Sequence, residues 1–154
     1  MYATREEVQA KRLQHGLAAA QGDAGAQCLL GVMHHAGEGG PVDFAEARRL
    51  FELAAAQGVA DAQSNLGYMH RLGEGGPVNF AEARRLFELA AAQGVADAQS
   101  NLGYMHREGK GGPVDFAEAR RLYGLAAAQG HANAQYMLAL MHQGEGGPAD
   151  FAEA

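Results

Sequence analysis

The chain has 154 residues, enough for one domain with a continuous core, and its 12 Lys and Arg against 18 Asp and Glu give a formal charge of −6. No stretch gathers the basic residues into a run, which excludes nucleic acid and anionic membrane as expected partners. Cys28 is the only cysteine, the opening MYATREEVQAKRL lacks the apolar centre of a secretory signal, and no apolar run approaches the roughly 18 residues of a bilayer span, so a soluble, cytoplasmic protein without an intrachain disulfide is expected.

From Thr4, Thr-Arg-Glu-Glu predicts a capping box with Glu7 and a helix to about Gln21, closed by Gly22 in the left-handed region. Residues 1–22 are expected to be an N-terminal capping helix. Beyond it the sequence repeats. Residues 44–71 recur letter for letter as 80–107, with diverged copies on both sides, and Gln21, Gln57, Gln93 and Gln129 mark a period of 36 residues. A fixed period of this size signals a stack of supersecondary units that bury their apolar faces only against neighbours. The units run approximately 23–58, 59–94, 95–130 and 131–154, the last incomplete.

Each unit reads as helix, glycine-rich turn, helix. In the second, the first helix spans about Ala60 to Leu72, the turn is Gly73-Glu74-Gly75-Gly76-Pro77, and Asn79 caps a second helix from Phe80 to about Ala92. Asp43-Phe44-Ala45-Glu46 and Asp115-Phe116-Ala117-Glu118 predict capping boxes at the matching positions. Phe80, Ala83, Leu86, Phe87, Ala90 and Ala91 recur at helical spacing and predict the buried side. Glu82, Arg84, Arg85 and Glu88 are expected on a solvated outer face. Gly31, Gly67 and Gly103 each cost about 1 kcal/mol of helix propensity and predict close packing of the first helices. In the last unit one turn residue is missing between His142 and Pro148, and the second helix stops at Phe151-Ala152-Glu153-Ala154.

The run Ala-Gln-Ser-Asn-Leu-Gly-Tyr-Met, then Gly-Glu-Gly-Gly-Pro-Val-Asn-Phe, then Ala-Arg-Arg-Leu-Phe-Glu-Leu-Ala-Ala-Ala-Gln-Gly resembles the Sel1-like repeat, a relative of the tetratricopeptide repeat, over roughly residues 18–154. The resemblance implies an all-α, right-handed α-solenoid of stacked helix-turn-helix repeats, acting as an adaptor or scaffold for a protein or peptide partner. This chain departs from the family pattern in carrying His34, His70, His106 and His142 where Tyr is common, and Gly40, Gly76, Gly112 and Gly147 where Val is common. The second exchange is expected to make the turns more flexible.

The candidate chemistry is sparse. Gln27 with His34, Gln63 with His70, Gln99 with His106 and Gln135 with His142 form i, i+7 pairs, but one His per unit on helices about 9 to 10 Å apart seldom converges on a metal. Structural hydrogen bonding is the expected role, with metal binding through a histidine ladder a lesser alternative. The glycine-rich turns lack the Lys-Ser/Thr of a phosphate loop, Ser64 begins no Ser-x-x-Lys motif, and Cys28 reads as inert filler. No enzyme activity, cofactor or metal is expected. The remaining stripe on the first helices, Asp61, Ser64, Asn65, Tyr68 and Arg71 with Asp97, Ser100, Asn101, Tyr104 and Arg107, is the candidate partner-binding surface. The resemblance places it on a concave side, and Tyr and Arg are the residues enriched in binding hot spots. Head-to-tail self-assembly through the incomplete last repeat is the alternative reading, making a homo-oligomer.

Overall fold

A computed structural model describes residues 2–144, so the shortened turn after His142 and the stub at Phe151 lie outside the described residues. Among the described residues there are eight helices and no strand. The chain divides after Val78 into two compact units. The first holds α1 (Arg5–Ala20), α2 (Ala24–Ala36), α3 (Phe44–Ala56) and α4 (Ala60–Leu72); the second holds α5 (Phe80–Ala92), α6 (Ala96–Glu108), α7 (Phe116–Ala128) and α8 (Ala132–His142). Within each unit every helix packs on its chain neighbours. The all-α helix-turn-helix repeat is thus the observed architecture.

Punctuation sets the boundaries. Thr4 accepts from Glu7 N and Glu7 returns a bond to Thr4 N, a complete capping box. The boxes expected at Asp43 and Asp115 are half formed: each aspartate accepts from the N–H three residues on, while Glu46 and Glu118 turn away to Arg49 and Arg121. The reason is that the cap N–H groups already have acceptors, Asp43 N donating to His34 O and Asp115 N to His106 O, both at 2.8 Å. A backbone N–H needs only one partner, so the glutamates are released to neutralise arginine one turn away. At the other end, α1, α3, α5 and α7 close in the same Schellman geometry, with Gly22, Gly58, Gly94 and Gly130 at φ between +85° and +91°.

Alanine and one aromatic per repeat make the core. In the first unit Ala19, Ala26, Leu30 and Leu50 cluster, with Phe51 buried nearby; in the second, Ala83, Phe87, Ala90, Ala98, Leu102, Met105 and Leu122 form one cluster and Ala119, Tyr123, Ala126, Ala134 and Met141 another. Burying each Phe stabilises the fold by about 1.5–3 kcal/mol relative to exposure. The helix glycines serve these rings. A Cβ on Gly31 would lie 2.8 Å from the Phe51 ring, and one on Gly103 would lie 3.1 Å from the Tyr123 ring. The close packing expected at these positions is therefore an aromatic ring laid against bare backbone.

Candidate functional site

The predicted stripe divides when its side chains are placed. Asp61 and Tyr68 are exposed, Asn65 and Arg71 half-buried, and the Arg71 guanidinium sits 5.6 Å from the Tyr68 ring centroid. Ser64 and Ser100, expected to face solvent, are buried at 7 % and 4 % exposure. A serine among the alanines of these thin helices is small enough to be enclosed at the packing surface. In the second unit Asp97 is exposed and accepts from His131 Nε2 at 2.8 Å, while Asn101 Nδ2 donates to Asp97 O. Arg107 pairs with Glu108 at 3.1 Å. Tyr104 is half-buried and packs on both core clusters of its unit, so it is less available than Tyr68. In the first unit Tyr68 and Asn65 join Val32, His35, Ala36 and Phe51 around a hollow of about 90 Å³ between α2 and α4.

A second constellation lies where the sequence pattern predicts a solvated face. Arg84, expected on the solvated face, and its equivalent Arg48 one repeat earlier are buried at 7 % and 6 % exposure, whereas the adjacent Arg49 and Arg85 are exposed and pair with Glu46 and Glu82. The two buried arginines, and the half-buried Arg12 at the matching place on α1, reach the next repeat. Arg12 Nη2 lies 2.6 Å from His34 Nδ1, Arg48 Nη2 2.5 Å from His70 Nδ1, and Arg84 Nη2 2.7 Å from His106 Nδ1. The same nitrogens donate to the Pro41, Pro77 and Pro113 carbonyls at 3.3 Å, and Arg12 Nη1 adds Glu38 O at 2.8 Å. The turn glycines make the room. A Cβ on Gly40 would fall 2.6 Å from Arg12 Nη1, and on Gly76 and Gly112 it would clash outright with Nη1 of Arg48 and Arg84. Where slack was expected, the absent side chain is a seat for a guanidinium.

The chemistry of the pair fixes the protonation state. A guanidinium has donors and no acceptor, so His Nδ1 must accept, which makes each ring neutral with its proton on Nε2. Burial holds the imidazoles of His34 and His106 below the usual histidine range, and the neighbouring Arg12 and Arg84 push in the same direction. With Nδ1 committed to arginine, His34, His70 and His106 are structural hydrogen-bonding groups, and no group of three His, Cys, Asp or Glu with metal-site geometry occurs among the described residues. The glutamines expected to pair with them bond elsewhere: Gln57 Nε2 donates to Gln27 Oε1 and Gln129 Nε2 to Gln99 Oε1, both at 2.8 Å. Cys28 is buried, and burial followed by the charge of Asp61 raises its thiol above the ordinary value, which suppresses the nucleophilic thiolate.

A larger cleft, about 730 Å³, lies in the second unit between α5, α6 and α7. Its apolar floor includes Leu102, Leu122 and Leu125, and Glu88, His106, Asp115, Glu118 and Arg121 supply its polar groups. The arginine is already neutralised by Glu118, whose carboxyl that hydrogen bond holds below its usual range. No helix among the described residues is long and apolar enough to cross a membrane.

Comparison with known proteins agrees with the repeat geometry. The Sel1 repeat profile matches residues 24–59, 60–95, 96–131 and 132–154. Among solved structures, c5321, a protective antigen present in uropathogenic Escherichia coli strains and displaying an SLR fold, is similar at 37 % identity and a TM-score of 0.80, over 84 % of this chain and 28 % of that one. A Sel1 repeat protein from Oxalobacter formigenes is similar at 34 % identity and a TM-score of 0.74, over 82 % of this chain and 51 % of that one. The chain thus spans between about a quarter and a half of the structures it matches. Among curated proteins none matches it. Four consecutive matches in register with the helix pairs, and a shared fold at more than a third identity, establish that the chain belongs to the Sel1 repeat family.

Proposed function

We propose that the chain is a non-enzymatic scaffold that binds an extended peptide or a partner helix along its first helices. Sel1 repeat proteins generally mediate protein–protein interaction, which is the coarse statement this reading refines. The observation that carries it is the hollow between α2 and α4, where an exposed Tyr68 backed by Arg71 stands over Val32, Ala36 and Phe51, with Asn65 and His35 offering polar contacts. An aromatic anchor beside an apolar pocket with a few polar groups is the composition of a binding hot spot. The partner is taken to be met in the cytoplasm, in keeping with a single buried thiol. Tyr68→Ala should abolish capture of the partner that the parent chain recovers in an affinity pull-down, with helical circular dichroism unchanged; undiminished capture would move the site off this face. Tyr104, being part of the core, is a poorer probe.

Self-association is a second reading, favoured by the 69 % and 65 % exposure of Leu13 and Leu17 on α1, beside a hollow of about 400 Å³ that also includes Leu30 and His34. The C-terminal segment it would engage lies outside the described residues. Light scattering over a concentration series separates the readings, since a strict monomer at high concentration removes this one.

A further inference from the structure

We propose that the repeated Arg–His pairs are acid-sensitive latches between consecutive repeats, closed while the imidazole is neutral and released when it takes up a proton. In each case an arginine on the second helix of one repeat, or on the capping helix, reaches a histidine at the end of the next repeat's first helix and the carbonyl of its turn proline: Arg12 to His34, Arg48 to His70, Arg84 to His106. The bond needs a lone pair on Nδ1. Protonation removes that acceptor and sets a cation against a cation, buried at Arg48 and Arg84 and half-buried at Arg12, so the two cannot stay at 2.5–2.7 Å. The Arg48 and Arg84 guanidinium groups have little else to hold them, whereas Arg12 also donates to Glu38 O at 2.8 Å. Among the described residues Arg48 Nη1 and Arg84 Nε are buried without a partner, so the imidazole supplies the shortest bond each group makes.

The released position is also furnished. Around His34 the facing charges are Arg12 on α1, Asp43 in the turn, and Glu46 and Arg49 on α3. Around His106 they are Arg84 and Glu88 on α5, Asp115 in the turn and Glu118 on α7, and all of these but Arg84 line the same cleft as His106. A charged His106 would therefore exchange Arg84 for Glu88 and Asp115 in that cleft, where Arg121 also stands and Glu118 is already paired with it. The histidine main chain ties the event to the turn, because the His34 and His106 carbonyls hold the N-cap N–H groups of Asp43 and Asp115. Two other histidines face carboxylates instead of arginine, His35 with Glu74 at 3.0 Å and His131 with Asp97 at 2.8 Å.

The sign of the pH effect follows from linkage. The native rings of His34 and His106 resist a proton that the unfolded rings accept near pH 6.5, so the stabilisation is present above that pH and is lost as pH falls. Each proton taken up on unfolding raises the unfolding equilibrium constant by about tenfold per pH unit below that point. Two measurements on the intact chain test the proposal. Nitrogen-15 NMR at pH 7.5 should find His34, His70 and His106 protonated at Nε2 and bare at Nδ1. Urea unfolding from pH 8 to pH 5 should show an acid loss of stability that is largely removed in the triple variant His34→Asn, His70→Asn, His106→Asn, whose amide oxygen accepts from arginine at every pH. An unchanged acid slope in that variant overturns the latch, as does an Nδ1–H tautomer or a charged ring at pH 7.5. Should the variant fail to fold, the tautomers decide alone.

Discussion

Replacing Gly112 by Val, the residue common in the family at this position, tests the arginine seat. The backbone tolerates it, because Gly112 is not among the glycines with positive φ. The obstacle is Arg84, whose Nη1 occupies the space of the new Cβ. The guanidinium must leave its 2.7 Å bond to His106 Nδ1 and its 3.3 Å contact with Pro113 O. A hydrogen bond from a charged group contributes about 1.5–3 kcal/mol, and the stranded imidazole acceptor adds about 1 kcal/mol. Stiffening the unfolded turn offsets roughly 0.5–1 kcal/mol. The net expectation is destabilisation by about 2–3 kcal/mol, which for a chain of this size lowers the melting temperature by roughly 5–10 °C. Urea unfolding followed by circular dichroism measures it, and an Arg84→Met background supplies the control. There the valine should cost less than about 0.5 kcal/mol. An equal cost in both backgrounds, or a loss below about 0.5 kcal/mol in the parent, refutes the seat.

Gly16 and Gly124 lie in helices with open space where a Cβ would be, so Gly16→Ala and Gly124→Ala should each stabilise by roughly 0.5–1 kcal/mol in thermal unfolding. Gly31→Ala should do the reverse, by about 1–3 kcal/mol, because the methyl would press on the Phe51 ring. Asp115→Ala removes the acceptor of Glu118 N and should destabilise by about 1 kcal/mol. The Cys28 thiol, buried and with its pKa raised by that burial, should react with a disulfide reagent far more slowly in the native chain than in urea, with thiolate release followed by absorbance.

The 36-residue period, the glycine stops and the aspartate caps made the helix pairs readable, because each is a local rule written at a fixed offset. Arg84 is harder to place, because charge ordinarily marks solvent; its spacing points the other way, four residues after Phe80 and three before Phe87, on the stripe that the aromatics define. The two departures from the family pattern, histidine for tyrosine and glycine for valine, carry no sign in the sequence that they belong together. Only the fold shows that one guanidinium needs both, an acceptor at one and a space at the other. The burial of Ser64 and Ser100 was beyond the sequence, since a helix wheel gives direction and not how far a neighbouring helix wraps around it.

The joints between helices carry a further consequence. The N-cap residues Asp43, Asn79 and Asp115 share φ, ψ to within about two degrees, −143° and 92°, −144° and 93°, −145° and 94°, and the four Schellman ends share their hydrogen bonds. Because residues 59–94 begin and end at equivalent joints, their excision would splice Gly58 to Val95 and restore the same Gly-Val-Ala-Asp sequence. The number of repeats is then a quantity that recombination can change by whole units, with no new joint to be invented, and the reach of the array becomes heritable independently of its chemistry.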